Sequence, residues 1–246
     1  MTATPIGFLA EKTSLRRTKP GAVRAVIFDL DGTLIDSEEN HYESDRILLA
    51  RRGIAFSRED KAVYVGRDIS EMVRRFRANY GLADDVQSIV DEKNAIYRSL
   101  ALKSSRLYPP MRTVLEELRG RKLPMAIATG SNASIAGEIL ESLGVRNFFS
   151  MIVSSSEVRK GKPEPDIFLE TARRMGAEPP STMVFEDTRF GVEAALRAGM
   201  ACVALPAPDD TSGDEIFSQA DCLVRGGPDK LDTQSFFWWF DSLSAR

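Results

Sequence analysis

The sequence predicts an α/β fold, a doubly wound parallel sheet with a helical insertion after its first strand. Two patterns carry that prediction. From Tyr108 onward, short apolar runs alternate with helical patterns across short connections. Between Ser37 and Lys103, no strand pattern occurs. A chain of 246 residues has room for one such core with a sizeable insert.

The elements follow in order. Residues 1–20 form no periodic element and read as a surface tail. The short apolar piece Ile6 to Ala10 lacks the preceding basic region of a signal peptide. Ala22 to Leu30, AVRAVIFDL, reads as a buried β-branched strand before Gly32. Asn40 to Arg52 places Ile47, Leu48 and Leu49 among charges and stops at Gly53, the pattern of a helix. Helical spacing continues through residues 59–103, with Ile69, Met72, Val73 and Phe76 three to four apart.

After Pro109-Pro110, Val114, Leu115 and Leu118 mark a helix. Residues 124–130 (PMAIATG), 151–155 (MIVSS), 181–187 (STMVFED), 200–205 (MACVAL) and 221–224 (DCLV) read as strands. Helices are expected over 135–143, 166–175 and 192–198. This is a Rossmann-like core over residues 21–36 and 108–246, with a helical insert over 37–107. The aromatic run SFFWWF (235–240) reads as a helix packed on the core or as a partner surface.

Composition narrows the function. Apolar residues at 43% and charged residues at 28% are ordinary for a globular chain. A net charge of −3 leaves no basic footprint for nucleic acid. No apolar run is long enough to span a bilayer. Cys202 and Cys222 lack metal-like spacing, which points to a reduced, cytoplasmic setting.

In an open α/β sheet, ligands bind beyond the carboxyl ends of the strands. Four polar segments fall at such ends: DLDGT, ATGSN, GKPEPD and FEDTRFG. Asp29, Asp31, Glu186 and Asp187 would therefore share one crevice. So many carboxylates repel one another and lose hydration unless a cation offsets them. Hard oxygen ligands favour Mg²⁺, which keeps several waters and takes substrate phosphate as a further ligand. With Lys162 and a glycine-containing loop, the set suits phosphoryl transfer. Any one of these residues alone would read as an exposed loop group.

Four motifs in order, FDLDGT, ATGSN, KGKPEPDIF and FEDTRFGVEAALRAGM, make the chain resemble the haloacid dehalogenase superfamily, in the branch with a helical cap after the first strand. The resemblance covers roughly Val23 to Ala204. It implies Asp29 as the nucleophile that becomes an aspartyl phosphate, and Asp31 as the general acid and base. It implies Thr129, with the Gly130 and Ser131 backbone, as the phosphoryl cradle. Lys162 would neutralise nucleophile and phosphate. Mg²⁺ would be held by Asp29, the Asp31 carbonyl and Asp187, with Glu186 beside it. Dehalogenases typically lack the second aspartate, because a leaving halide needs no acid. Asp31 therefore favours phosphate esters.

The cap supplies further candidates. His41, the only histidine, aligns with one that couples cap closure to acid/base chemistry in the sugar phosphomutase branch. Gly66-Arg67-Asp68 resembles a substrate-contacting cap loop, and Lys93-Asn94 a second anion contact. The mutase-type arginine would fall three residues after the loop glycine, where Ile69 stands. The resulting expectation is an Mg²⁺-dependent phosphatase for a small phosphorylated metabolite, acting as a monomer or homodimer without nucleic acid or membrane. A β-phosphoglucomutase-like enzyme and a non-catalytic regulatory protein are the alternatives.

Overall fold

A computed structural model describes residues 13–15 (backbone), 22–64, 69–208, 210 and 213–244. Its main sheet has seven strands: β1 (Thr13–Leu15), β2 (Ala25–Phe28), β5 (Met125–Thr129), β6 (Ile152–Ser154), β7 (Thr182–Glu186), β8 (Ala201–Ala204) and β9 (Cys222–Val224). The strand order is β1-β9-β8-β7-β2-β5-β6, parallel except for β1, which runs antiparallel to β9. Within the stretch read as a surface tail, Thr13–Leu15 is thus an edge strand. Three residues of unremarkable pattern gave no period to detect.

Side chains alternate across the sheet as the strand period requires. Val26, Phe28, Met183, Phe185 and Val203 enter one core, under α5 (Pro109–Gly120), α6 (Ala133–Ser142) and α10 (Thr233–Ser244). Ile27, Val184, Cys202 and Ala204 enter the other, under α7 (Asp166–Met175) and α8 (Arg189–Arg197). Both faces of the sheet are covered, so the strands read as apolar runs. This is the doubly wound α/β class expected from the sequence.

The aromatic run resolves toward packing. Phe236, Phe237, Trp239 and Phe240 are buried on α10, whereas Trp238 is 52% exposed. Phe236 meets Phe185 edge-on at 5.5 Å between centroids, and Arg121 lies 4.7 Å over the Phe237 ring.

The helical segment comprises α1 (Glu38–Ala50), α2 (Arg58–Ala62), α3 (Ile69–Tyr80) and α4 (Val86–Ser104). It has its own apolar cluster, built on Leu48, Leu49, Phe56, Val73, Phe76 and Ile89. The chain enters and leaves it through a two-stranded antiparallel ribbon, β3 (Ile35–Asp36) with β4 (Arg106–Leu107). Asn40 ties the base of α1 to the end of α4: it donates to Ser105 Oγ at 3.0 Å and accepts from Ser104 Oγ at 2.6 Å.

Candidate active site

The carboxyl ends of β2, β5 and β7 and the α1–α4 segment enclose a cavity of about 140 Å³. Asp29, Asp31, Gly130, Ser131, Lys162 and Asp187 line its sheet side; His41, Lys61, Lys93 and Tyr97 line the helical side. Six of the strand-end residues expected from the sequence thus converge, while Thr129 and Glu186 are buried and do not line the cavity. Arg67 lies outside the described residues.

Asp29 follows β2 directly, and its N–H donates to the Phe185 carbonyl at 3.0 Å. Gly32, at φ +81°, then reverses the chain. A Cβ on Gly32 would sit 2.2 Å from Asp187 Oδ2, so the glycine also makes room for that carboxylate. Thr33 Oγ1 donates to Asp187 Oδ1 at 2.8 Å.

Lys162 reaches in from the loop before α7. Its Nζ donates to Asp29 Oδ1 at 2.5 Å and to Glu186 Oε1, and lies 5.2 Å over the Phe168 ring. Burial opposes its charge, but Asp29 and Glu186 outweigh burial and raise its pKa. Three carboxylates nevertheless share one ammonium. Burial, offset in part by Lys162 and reinforced by the Glu186 charge, pushes Asp29 from 3.8 up to about 8. Burial and the Glu186 and Asp29 charges likewise push Asp187 well up. The cluster lacks positive charge, which is the condition a divalent cation relieves.

Glu186, expected beside the ion, is engaged with protein groups. Glu186 is fully buried and spends both oxygens, Oε1 on Lys162 and Oε2 on the Thr188 N–H and hydroxyl at 2.9 and 3.1 Å. It holds the lysine and the start of α8, and it does not line the cavity. Among the described residues, no three His, Cys, Asp or Glu side chains form a ready-made metal site. Asp29, Asp187 and the Asp31 carbonyl need only two side chains, which suits an ion that keeps several waters.

Asp31 sits in a different environment. Its Oδ1 accepts from Ser37 Oγ at 2.7 Å and Tyr97 Oη at 2.6 Å, and lies 3.0 Å from His41 Nε2. Its Oδ2 accepts from Ser131 Oγ at 2.6 Å. Burial alone would raise this carboxyl. The His41 charge and the His41, Ser131 and Tyr97 hydrogen bonds overcome that and hold it well below the usual carboxylate range. Adjacent aspartates are thus pushed in opposite directions, the pattern that separates acid and base roles.

The phosphoryl cradle also shows a difference. The Ser131 N–H donates to Thr129 Oγ1 at 3.0 Å, leaving the Thr129 hydroxyl proton to donate elsewhere. Ser131 contributes its side chain to Asp31 instead, and the Gly130 carbonyl accepts from Ser155 Oγ at 3.3 Å.

Several site residues had no motif to announce them. Tyr97 stacks on His41, with centroids 4.2 Å apart and planes 14° apart. Asp45 is fully buried and pairs with both Lys61 and Lys93. The usable signal was helical spacing: His41 and Asp45 are four apart on α1, and Lys93 and Tyr97 four apart on α4. Gly191 was a second signal. A Cβ there would fall 1.8 Å from Glu186 Oε1, so the first turn of α8 requires glycine for the carboxylate to fit.

Residues 26–205 match the haloacid dehalogenase-like hydrolase family. The chain is 36% identical over 179 residues to fructose-1-phosphate phosphatase YqaB of Escherichia coli, covering 72% of this chain and 94% of that protein. It is 33% identical to (DL)-glycerol-3-phosphatase 2 of Arabidopsis thaliana, covering 81% and 86%. Its fold matches β-phosphoglucomutase from Clostridium difficile with a TM-score of 0.74 at 22% identity, over 89% of this chain and 98% of that one. The chain belongs to the haloacid dehalogenase-like hydrolase family.

Proposed function

We propose that this phosphoric monoester hydrolase cleaves a small phosphorylated metabolite through an aspartyl phosphate on Asp29, with Mg²⁺ as cofactor. One observation carries the reading most strongly: Lys162 bridges Asp29 and Glu186 at the cavity floor, two residues from an Asp31 in an opposite electrostatic state. Relatives named as fructose-1-phosphate, glycerol-3-phosphate and phosphoglycolate phosphatases support the substrate class. So does the cavity, which is small beside the roughly 300–1,000 Å³ of sites for drug-sized ligands.

In this scheme an Asp29 oxygen attacks phosphorus, and the bond to the leaving oxygen breaks. Lys162 and the Thr129 hydroxyl hold phosphoryl oxygens. Asp29, Asp187 and the Asp31 carbonyl would hold Mg²⁺, which would supply positive charge against the transferring group. Asp31 must carry a proton to protonate the leaving alcohol, and His41 Nε2, 3.0 Å from its Oδ1, is placed to exchange one with it. Asp31, ionised again, takes a proton from water, which attacks phosphorus and frees Asp29. The α1–α4 segment acts as the cap that excludes water and reads the leaving group.

A mutase reading has less support, since Ile69 lines the cavity where the resemblance calls for an arginine. The test is hydrolysis of an aryl phosphate by wild type and by Asp29→Asn, with Mg²⁺ and with a chelator. Activity is expected only in wild type with metal. Metal-independent turnover would reject the cofactor assignment, and turnover by Asp29→Asn the nucleophile.

A further inference from the structure

The carboxyl end of β6 carries a run of hydroxyls that the proposed chemistry does not use. β6 pairs with β5 in parallel, and Ser154 stands opposite Thr129 at the last step of the register. The loops that follow the two strands therefore run side by side, and the one after β5 is the phosphoryl cradle. After Ser154 the chain makes one tight turn, Ser155–Glu157, closed by a capping box. The Ser154 N–H donates to Glu157 Oε1 at 2.9 Å, and Ser154 Oγ accepts from the Ser156 N–H and hydroxyl at 3.4 and 3.1 Å. Arg174 of α7 donates to the other Glu157 oxygen at 2.7 Å. The turn is thus fixed by its own side chains and by a helix of the core.

A hydroxyl has a single proton to donate. Ser154 gives its proton to the Ser131 carbonyl at 2.8 Å, and Ser155 gives its own to the Gly130 carbonyl at 3.3 Å. Two consecutive serines therefore hold two consecutive carbonyls of the cradle. A trans peptide is planar, so its N–H points opposite to its C=O. Holding the Gly130 carbonyl from the β6 side aims the Ser131 N–H away from β6, and that N–H meets Thr129 Oγ1 at 3.0 Å. Holding the Ser131 carbonyl likewise fixes the peptide to Asn132, whose side chain caps α6. Ser155, Gly130 and Ser131 line the cavity; Ser154 does not, and it is buried, where water cannot readily replace its hydroxyl.

We propose that Ser154 and Ser155 are positioning residues for phosphoryl transfer: their hydroxyls clamp the Ser131 and Gly130 carbonyls and hold the cradle backbone and, through the Ser131 N–H, the Thr129 hydroxyl in place for the phosphoryl group. The proposal rests on the phosphatase reading, because it takes this loop as the cradle. Donors fixed before charge develops need no reorganisation when it does, so a clamp behind the cradle acts on the reaction. The Ser154 bond has the usual O–H···O length and the Ser155 bond is long, so Ser154 carries the larger share.

The test is calorimetric binding of inorganic phosphate with Mg²⁺ present, beside hydrolysis of an aryl phosphate and thermal unfolding. Ser154→Ala should weaken phosphate binding and lower kcat/KM, each about tenfold, while the melting temperature changes by only a few degrees. Ser155→Ala should lose about threefold, and Ser155→Thr, which keeps the hydroxyl, should recover most of that loss. Ser156→Ala loosens the turn without removing either clamp, and should cost less than Ser154→Ala. Unchanged phosphate affinity in both Ser154→Ala and Ser155→Ala overturns the proposal. So does a loss in Ser156→Ala equal to that in Ser154→Ala, or one in Ser155→Thr equal to that in Ser155→Ala. If Ser154→Ala does not fold, the two Ser155 variants decide the matter alone. Phosphate binding needs no turnover: a wild type that binds phosphate and hydrolyses no ester rejects the phosphatase reading, and the clamp is still judged by the affinities.

Discussion

The two sides of the cavity are built on opposite charge balances. The sheet side gathers Asp29, Glu186 and Asp187 around Lys162, an excess of carboxylate. The helical side gathers Lys61 and Lys93 around Asp45, an excess of ammonium. The floor is fixed by backbone: each acid stands at or just after the last residue of a parallel strand, so strand register sets its position. The opposite wall is fixed by side-chain packing between helices. Where position comes from the backbone, chemistry is concentrated in short contiguous motifs. Where it comes from helix packing, it is scattered over residues 41 to 97.

The comparison breaks most visibly at Asp29. Asp29→Asn should lower turnover of any phosphoester by on the order of 10⁴, measured with Mg²⁺ under saturating substrate. A comparable loss for Lys61→Met on an aryl phosphate would erase the distinction between a chemical floor and a selective wall.

Gly191→Ala probes how tightly the floor is built. The added methyl must displace the Glu186 carboxylate, and with it the grip on Lys162. Destabilisation of roughly 1–3 kcal/mol is expected by denaturant unfolding, together with a loss of activity. Unchanged stability and rate would mean that the carboxylate moves aside freely.

The charge excess at the floor gives a pH signature. Asp29 binds its proton more tightly folded than unfolded, so the unfolded chain carries fewer protons above pH 3.8. Stability without metal should therefore fall as pH rises from about 4 toward about 8. Asp31 acts in the opposite sense: its depressed carboxyl contributes stability above its ordinary 3.8 that is lost as pH falls below it. Mg²⁺ should raise the melting temperature by a few degrees near pH 8 and by less near pH 5. An equal metal effect at both values would contradict the proposed relief of carboxylate repulsion.

The smallest effect is expected at Tyr97→Phe. The ring still stacks on His41, and only the 2.6 Å hydrogen bond to Asp31 is lost. A hydrogen bond to the ionised form lowers a carboxyl pKa, so its removal should shift the Asp31 limb of the kcat/KM profile upward in pH. A change in KM with no shift in the profile would place Tyr97 with substrate contact instead.

Legibility in the sequence follows the same division. Every parallel strand was readable, because strands buried on both faces are short apolar runs. Thr13–Leu15 was not, since an edge strand of three residues has no pattern of its own. Asp29, Asp31, Lys162 and Asp187 were readable as candidates from their place at strand ends. Glu186 was located but given a different partner, because its neighbours Lys162 and Gly191 come from separate loops. His41 and Lys93 were singled out individually. Their partners Tyr97 and Asp45 depend on how α1 crosses α4, which one helix period cannot specify.

The central claim is that phosphoryl transfer passes through Asp29. Rapid acid quench of the wild-type enzyme turning over a phosphoester with Mg²⁺, followed by peptide mass spectrometry, tests it directly. The account predicts a phosphoryl group on the peptide carrying Asp29, absent when Asp29 is asparagine. Sustained turnover with no phosphoryl adduct on that peptide, and inversion of configuration at phosphorus, would contradict it.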